Sequence, residues 1–220
     1  MKPLIGLLLL LTLLVLSYLV LKPLYQAYLR KRTYLNIMRV VDSGYQHANP
    51  YLISKSAKEQ QEDDTLTYGE IDTVALLDLL ARLKPTSKDV FYDLGSGSGK
   101  AVFAAKLRYP QMRAIGIERQ SELHDLAEEI RQSMAPPHPD YICDDFLNVD
   151  FTDATIILIN ATAFHGEQWE ALLAKLKALK PKTKIIITSK KLPATLFVHC
   201  YGAMEKMNWG LCTTHIYEKV

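Results

Sequence analysis

The feature that most narrows the choice of fold is a hand-over. The apolar run Val90–Leu94 leads into Asp93-Leu94-Gly95-Ser96-Gly97-Ser98-Gly99, and a helix-forming segment starts near Gly99. A strand that ends in a glycine-rich turn and restarts as a helix is the opening crossover of an open α/β sheet, whose ligand crevice lies at the carboxyl ends of the strands. The alternation continues through Ala114–Glu118, a helix over Glu122–Gln132, Tyr141–Cys143, Thr155–Asn160, a helix over Glu167–Leu179, Lys184–Ser189 and a last strand near Cys212–Tyr217. This pattern predicts an α/β domain with a mainly parallel sheet and helices on both faces.

What the loop holds follows by elimination. A dinucleotide fingerprint G-x-G-x-x-G would need glycine at Lys100, and a phosphate-binding P-loop would need glycine at Leu94 and Ser or Thr at Ala101. Both phosphate readings fail on residues. A carboxylate at Asp93 would repel a pyrophosphate but can meet an ammonium. Gly95, Gly97 and Gly99 let backbone approach a ligand closely and adopt positive φ. Glu118 ends the next strand, where a bidentate acceptor suits the two hydroxyls of a ribose. Asp145 and Phe146 follow the third, an acceptor for an exocyclic amine beside an aromatic face. Taken singly, each has a plainer reading: an ordinary turn, a surface acid, a turn cap, a core aromatic. Together, in order on successive strand ends, they mark one ligand crevice.

The loop D-x-G-x-G-x-G resembles motif I of the class I S-adenosylmethionine-dependent methyltransferases. That resemblance implies a Rossmann-like fold and S-adenosylmethionine as cofactor. Tyr68-Gly69-Glu70, the loop itself, Asp145-Phe146-Leu147, Asn160 with Ala163-Phe164, and Ile186–Lys190 are similar in order and spacing to the disruptor-of-telomeric-silencing (DOT-type) histone-lysine methyltransferases. The similarity runs from about Thr65 to the C-terminus. It implies that Tyr68 and Glu70 help to enclose the cofactor, that Asn160 and Phe164 line the channel where the target lysine meets the methyl group, and that the substrate is a protein. Asn160 would orient the amine through its carbonyl oxygen. Ala161 and Thr162 replace an asparagine and a phenylalanine of the family, while His215 is kept.

Ahead of this domain the chain is different. Leu4–Leu21 is uncharged and leucine-rich, a length that just spans a hydrocarbon core of roughly 30 Å, and Lys22, Arg30, Lys31, Arg32 and Arg39 follow it. These features predict a transmembrane anchor over residues 1–22, a basic juxtamembrane and linker segment over 23–64, and a methyltransferase domain over 65–220. They also predict a single-pass membrane protein with its catalytic domain on the cytoplasmic side. A similarity in size, N-terminal helix and cofactor loop to mitochondrial membrane-anchored lysine methyltransferases points the same way. A formal net charge of +2 gives no reason to expect nucleic acid as a partner, and Cys143, Cys200 and Cys212 lie too far apart to suggest a metal site. The expected function is therefore a membrane-anchored protein-lysine N-methyltransferase. A small-molecule or lipid methyltransferase and a non-catalytic cofactor sensor remain alternatives.

Overall fold

The computed structural model describes residues 2–61 and 68–220; for residues 2–10, 13, 60 and 61 the description is of the backbone alone. Seven strands form one sheet: β1 (Val90–Leu94), β2 (Arg113–Glu118), β3 (Asp140–Cys143), β4 (Ile156–Ile159), β5 (Lys184–Thr188), β6 (Phe197–Met207) and β7 (Gly210–Lys219). Their spatial order is β3-β2-β1-β4-β5-β7-β6. The first five run parallel, β7 pairs antiparallel with β5, and β6 closes a hairpin with β7. The predicted α/β class with a mainly parallel sheet is observed. The hairpin partner β6 was not anticipated, because its exposed residues interrupt any apolar run.

Among the described residues six α-helices accompany the sheet: α1 (Lys2–Tyr45), α2 (Pro50–Gln61), α3 (Thr73–Leu83), α4 (Lys100–Arg108), α5 (Ser121–Ser133) and α6 (Gly166–Lys177). Strands buried on both faces must carry apolar side chains on successive residues, and the alternation sorts them into two cores. Phe91, Ile156, Leu158 and Ile186 face α1, α3, α4 and Ile130 of α5. Tyr92, Leu94, Ile157, Ile159, Ile185 and Ile187 face α6 through Leu172, Leu173 and Leu176. Helix α3 begins where the Asp72 side chain accepts hydrogen bonds from the Val74 and Ala75 amides, satisfying donors that a helix start leaves free.

Helix α1 departs most from expectation. Residues 34–45, expected to belong to the juxtamembrane and linker segment, continue it and bury Tyr34, Ile37, Val41 and Tyr45. Spacings of three and four put these side chains on one stripe, which packs against α3, α4 and α5. Part of the supposed linker, Pro50–Gln61, is helical, while the expected domain boundary near Thr65 and the acidic residues Glu62, Asp63 and Asp64 lie outside the described residues.

The transmembrane reading does not stand. Among the described residues no helix is long and apolar enough to cross a membrane. A span needs about 20 consecutive apolar residues; of the expected Leu4–Leu21 run, residues 4–10 and 13 lie outside the described side chains. The expectations of a membrane anchor, of the membrane as partner and of a single-pass topology with a cytoplasmic domain are accordingly corrected.

Candidate active site

Strand β1 is flanked by β2 on one side and β4 on the other, so chain crossovers leave it in opposite directions and open a crevice at its carboxyl end. The glycine loop is moored there by its own backbone. The Gly95 and Ser96 amides both donate to the Ile117 carbonyl at 2.9 Å, and the Gly99 amide donates to the Ser96 carbonyl at 2.9 Å. Gly97 has φ of 55°, and a Cβ on it would stand 2.5 Å from the Tyr68 ring. Glycine at this position is therefore required both by conformation and by contact.

The cavity above the loop has a volume of about 290 Å³. Its walls include three carboxylates, Glu70, Asp93 and Glu118, two basic side chains, Lys100 and Arg119, and the aromatics Tyr51, Tyr68, Phe146, Phe164 and Trp209. Glu118 is buried. One of its carboxylate oxygens accepts from the Gly97 amide at 2.8 Å and the other from the Gln120 amide at 2.8 Å. Burial pushes its pKa up, and these amide hydrogen bonds pull against that rise. Asp93 is 5% exposed, and no hydrogen bond joins its carboxylate to another described residue. Burial raises its pKa well above the usual value, and the charges of Glu118 and Glu70 raise it further.

Tyr68 and Glu70 form a strap over the loop. The Tyr68 hydroxyl donates to Glu70 and lies 2.8 Å from Ser98 Oγ, and Lys100 Nζ reaches Glu70 at 3.4 Å. Beyond them the strap is tied to the β6–β7 turn: the Glu70 amide donates to Asn208 Oδ1 at 3.1 Å, and the Asn208 amide donates to the Glu70 carbonyl at 3.0 Å. The Trp209 ring packs directly on Gly69, leaving no room for a Cβ there. Asn160 adds a third tie. Its Nδ2 donates to the Gly69 carbonyl at 2.9 Å, while its Oδ1 accepts from Thr188 at 2.8 Å and from Thr162 at 3.2 Å.

A profile of the family described as "Histone methylation protein DOT1" matches residues 52–208, more than half of the chain. The chain belongs to this family. Among similar proteins are the H3 lysine-79 specific histone-lysine N-methyltransferase of Caenorhabditis elegans, 31% identical over 56% of this chain and 15% of that protein, and a protein-lysine N-methyltransferase of Saccharolobus islandicus, 25% identical over 49% of this chain and 66% of that one. The chain spans between 10% and 66% of the length of the curated relatives it matches. An RNA methyltransferase from Salinibacter ruber, solved in complex with S-adenosyl-L-homocysteine, superposes with a TM-score of 0.51 at 19% identity, covering 66% of this chain and 89% of that one. At that identity the likeness speaks for the fold. The Rossmann-like methyltransferase fold and S-adenosylmethionine as cofactor, both expected from the sequence, agree with the sheet order, the family and these relatives. The donor set fits that cofactor too: a buried carboxylate without a partner among the described residues suits an ammonium, and a second carboxylate with spare lone pairs suits vicinal hydroxyls.

Of the residues singled out in the sequence, Tyr68, Glu70, Asp93, Gly95, Gly97, Glu118, Phe146, Asn160 and Phe164 come together on the cavity wall. Two do not. Gly99 starts α4 behind the loop, under the Tyr141 ring, and Asp145 turns its carboxylate to the Leu147 amide at 2.8 Å. One Asp145 carboxylate oxygen so caps the turn, and the residue stands off the cavity wall. Asn160 reaches the cavity, but its carbonyl oxygen already accepts from two hydroxyls and is not free in the way an amine-orienting group requires. Several wall and support residues escaped the sequence reading, among them Lys100, Ser98, Trp209 and Tyr45. The spacing of Tyr34, Ile37, Val41 and Tyr45 was the available signal for the last of these.

Proposed function

We propose that this chain is an S-adenosylmethionine-dependent methyltransferase that methylates a lysine side chain of a protein. The observation that carries the reading is Asp93: a buried carboxylate without a hydrogen-bond partner among the described residues, repelled by two neighbouring acids and set beside a glycine loop, in a chain of the DOT1 family. Such a group is unfavourable until a cation meets it. Lysine as acceptor is supported by the two relatives named for lysine methylation.

Asp93 holds the ammonium of the cofactor's amino-acid end, with Glu70 nearby, and Glu118 receives the ribose hydroxyls. Phe146 and Phe164, whose ring centroids lie 5.3 Å apart, provide apolar wall. A bound S-adenosylmethionine supplies an electrophilic methyl group on a positively charged sulfur. The chain's own contribution is alignment and exclusion of water. Apolar walls such as Phe146, Phe164 and Leu158 disfavour an ammonium, so the lysine enters the reaction as the free amine. Asn160 serves this arrangement by tying down Gly69, and with it the Tyr68–Glu70 strap.

The test is incubation of the full chain with methyl-labelled S-adenosylmethionine and a cell extract, with protein, lipid and small-molecule fractions counted separately. Label on protein lysine, located by mass spectrometry, is the expected result. Label confined to lipid or small molecules overturns the lysine reading, and cofactor binding with no transfer to any fraction favours a sensor.

A further inference from the structure

Three tyrosines from three separate segments hold three successive residues of the glycine loop. The Tyr68 ring lies against Gly97, the Tyr141 hydroxyl donates to the Gly99 carbonyl at 3.0 Å, and between them the Tyr45 hydroxyl donates to the Ser98 carbonyl at 2.9 Å. Tyr68 and Tyr141 lie within the stretch matched to the family. Tyr45 lies before it, near the end of α1.

Tyr45 does not line the cavity, yet it touches what does. Its hydroxyl holds the backbone of Ser98, a fully buried residue whose Oγ lies 2.8 Å from the Tyr68 hydroxyl and 3.2 Å from Glu70 Oε1. Its ring lies 5.6 Å below Lys100 Nζ, the ammonium that reaches Glu70. Backbone, strap and counter-charge of the loop therefore converge on one side chain, itself 8% exposed and fixed by the α1 stripe that ends with it. Burial holds its pKa well above the ordinary value, so the hydroxyl stays a donor throughout the useful pH range.

We infer that Tyr45 is a positioning residue for the cofactor loop, so that cofactor affinity depends on the docking of α1 through this one hydroxyl. The inference rests on the reading that the cavity takes S-adenosylmethionine. It makes the second half of α1 part of the binding apparatus rather than an attachment to it. Without the hydroxyl, the buried Ser98 carbonyl loses its partner, and Gly97–Gly99 can drift from the geometry that the cofactor needs.

The same helix supplies a matched control. The Tyr34 hydroxyl donates to the Leu77 carbonyl at 3.0 Å, an equally buried bond made away from the cavity. Tyr45→Phe and Tyr34→Phe are compared in the full chain by hydrogen exchange of the peptide covering residues 95–101 and by calorimetric titration with S-adenosylmethionine. In Tyr45→Phe, exchange of that peptide and the cofactor dissociation constant both rise, each by about three- to tenfold. In Tyr34→Phe, the melting temperature falls while both readouts stay at the wild-type value. Equal loop exchange in the two variants overturns the inference, as does equal cofactor affinity. If the wild type binds no cofactor, the proposed function fails, and the exchange comparison still decides whether Tyr45 holds the loop.

Discussion

Replacing Asp93 by asparagine keeps the shape of a side chain that is 5% exposed and removes its charge. Among the described residues the carboxylate has no hydrogen bond to lose, and burial, Glu118 and Glu70 all raise its pKa. A carboxyl group whose folded pKa lies above its unfolded value costs stability once the pH exceeds that unfolded value, and the full cost is present above the folded value. Asp93→Asn removes this cost, so the cofactor-free protein should melt higher at pH 7. Each kcal/mol gained corresponds to roughly 2–4 °C for a chain of this size. The same change deletes the partner of the cofactor's ammonium. A charge-assisted hydrogen bond contributes about 1.5–3 kcal/mol, so the dissociation constant should rise by roughly ten- to a hundredfold. Scanning calorimetry without cofactor and isothermal titration with it read the two effects on one sample. The stability difference between variant and wild type should also shrink as pH falls through the raised pKa, and vanish below the ordinary aspartate value of 3.8. A variant that is less stable than wild type at pH 7, or that binds S-adenosylmethionine as tightly, would refute the assignment of Asp93.

Gly97→Ala forces a side chain into φ of 55° and against the Tyr68 ring, so the strap must move; cofactor affinity measured by titration should fall at least about tenfold, from strain of about 1–2 kcal/mol plus the displaced strap. Asn160→Ala frees the Gly69 carbonyl and two hydroxyls, and cofactor affinity and turnover should fall together. Intact affinity with lost turnover would instead place Asn160 against the acceptor. Because the pKa values of Asp93 and Glu118 are raised, cofactor affinity should decline on acidification before the ordinary glutamate value of 4.5 is reached, and a flat titration down to that pH would count against their role.

How much was legible in advance differs by element. Strands β1, β2, β4 and β5 read directly because a strand buried on both faces needs a continuous apolar run, and Val90–Tyr92, Ala114–Ile117, Ile156–Ile159 and Ile185–Ile187 supply one. Strand β6 did not, since only its ends are buried and its middle alternates between exposed and half-buried residues. The Leu4–Leu21 run suggested a span, but among the described residues no helix is long and apolar enough to cross a membrane.

The sequence by itself determined the fold class and the place of the site, because a strand, a glycine turn and a helix admit one local path and strand-end acids follow at regular intervals. The tertiary structure alone decided which of those acids remain available. Asp93 is left without a hydrogen-bond partner among the described residues and Glu118 keeps lone pairs beside its two amide donors, while Asp145 stands off the cavity wall with one carboxylate oxygen on the Leu147 amide, and the Asn160 carbonyl is occupied by two hydroxyls that no spacing reveals. It also brought Tyr45 to Ser98 across 53 residues of chain. A hydrogen bond depends on position within a few tenths of an ångström, and only the packing of α1 on the sheet sets that position.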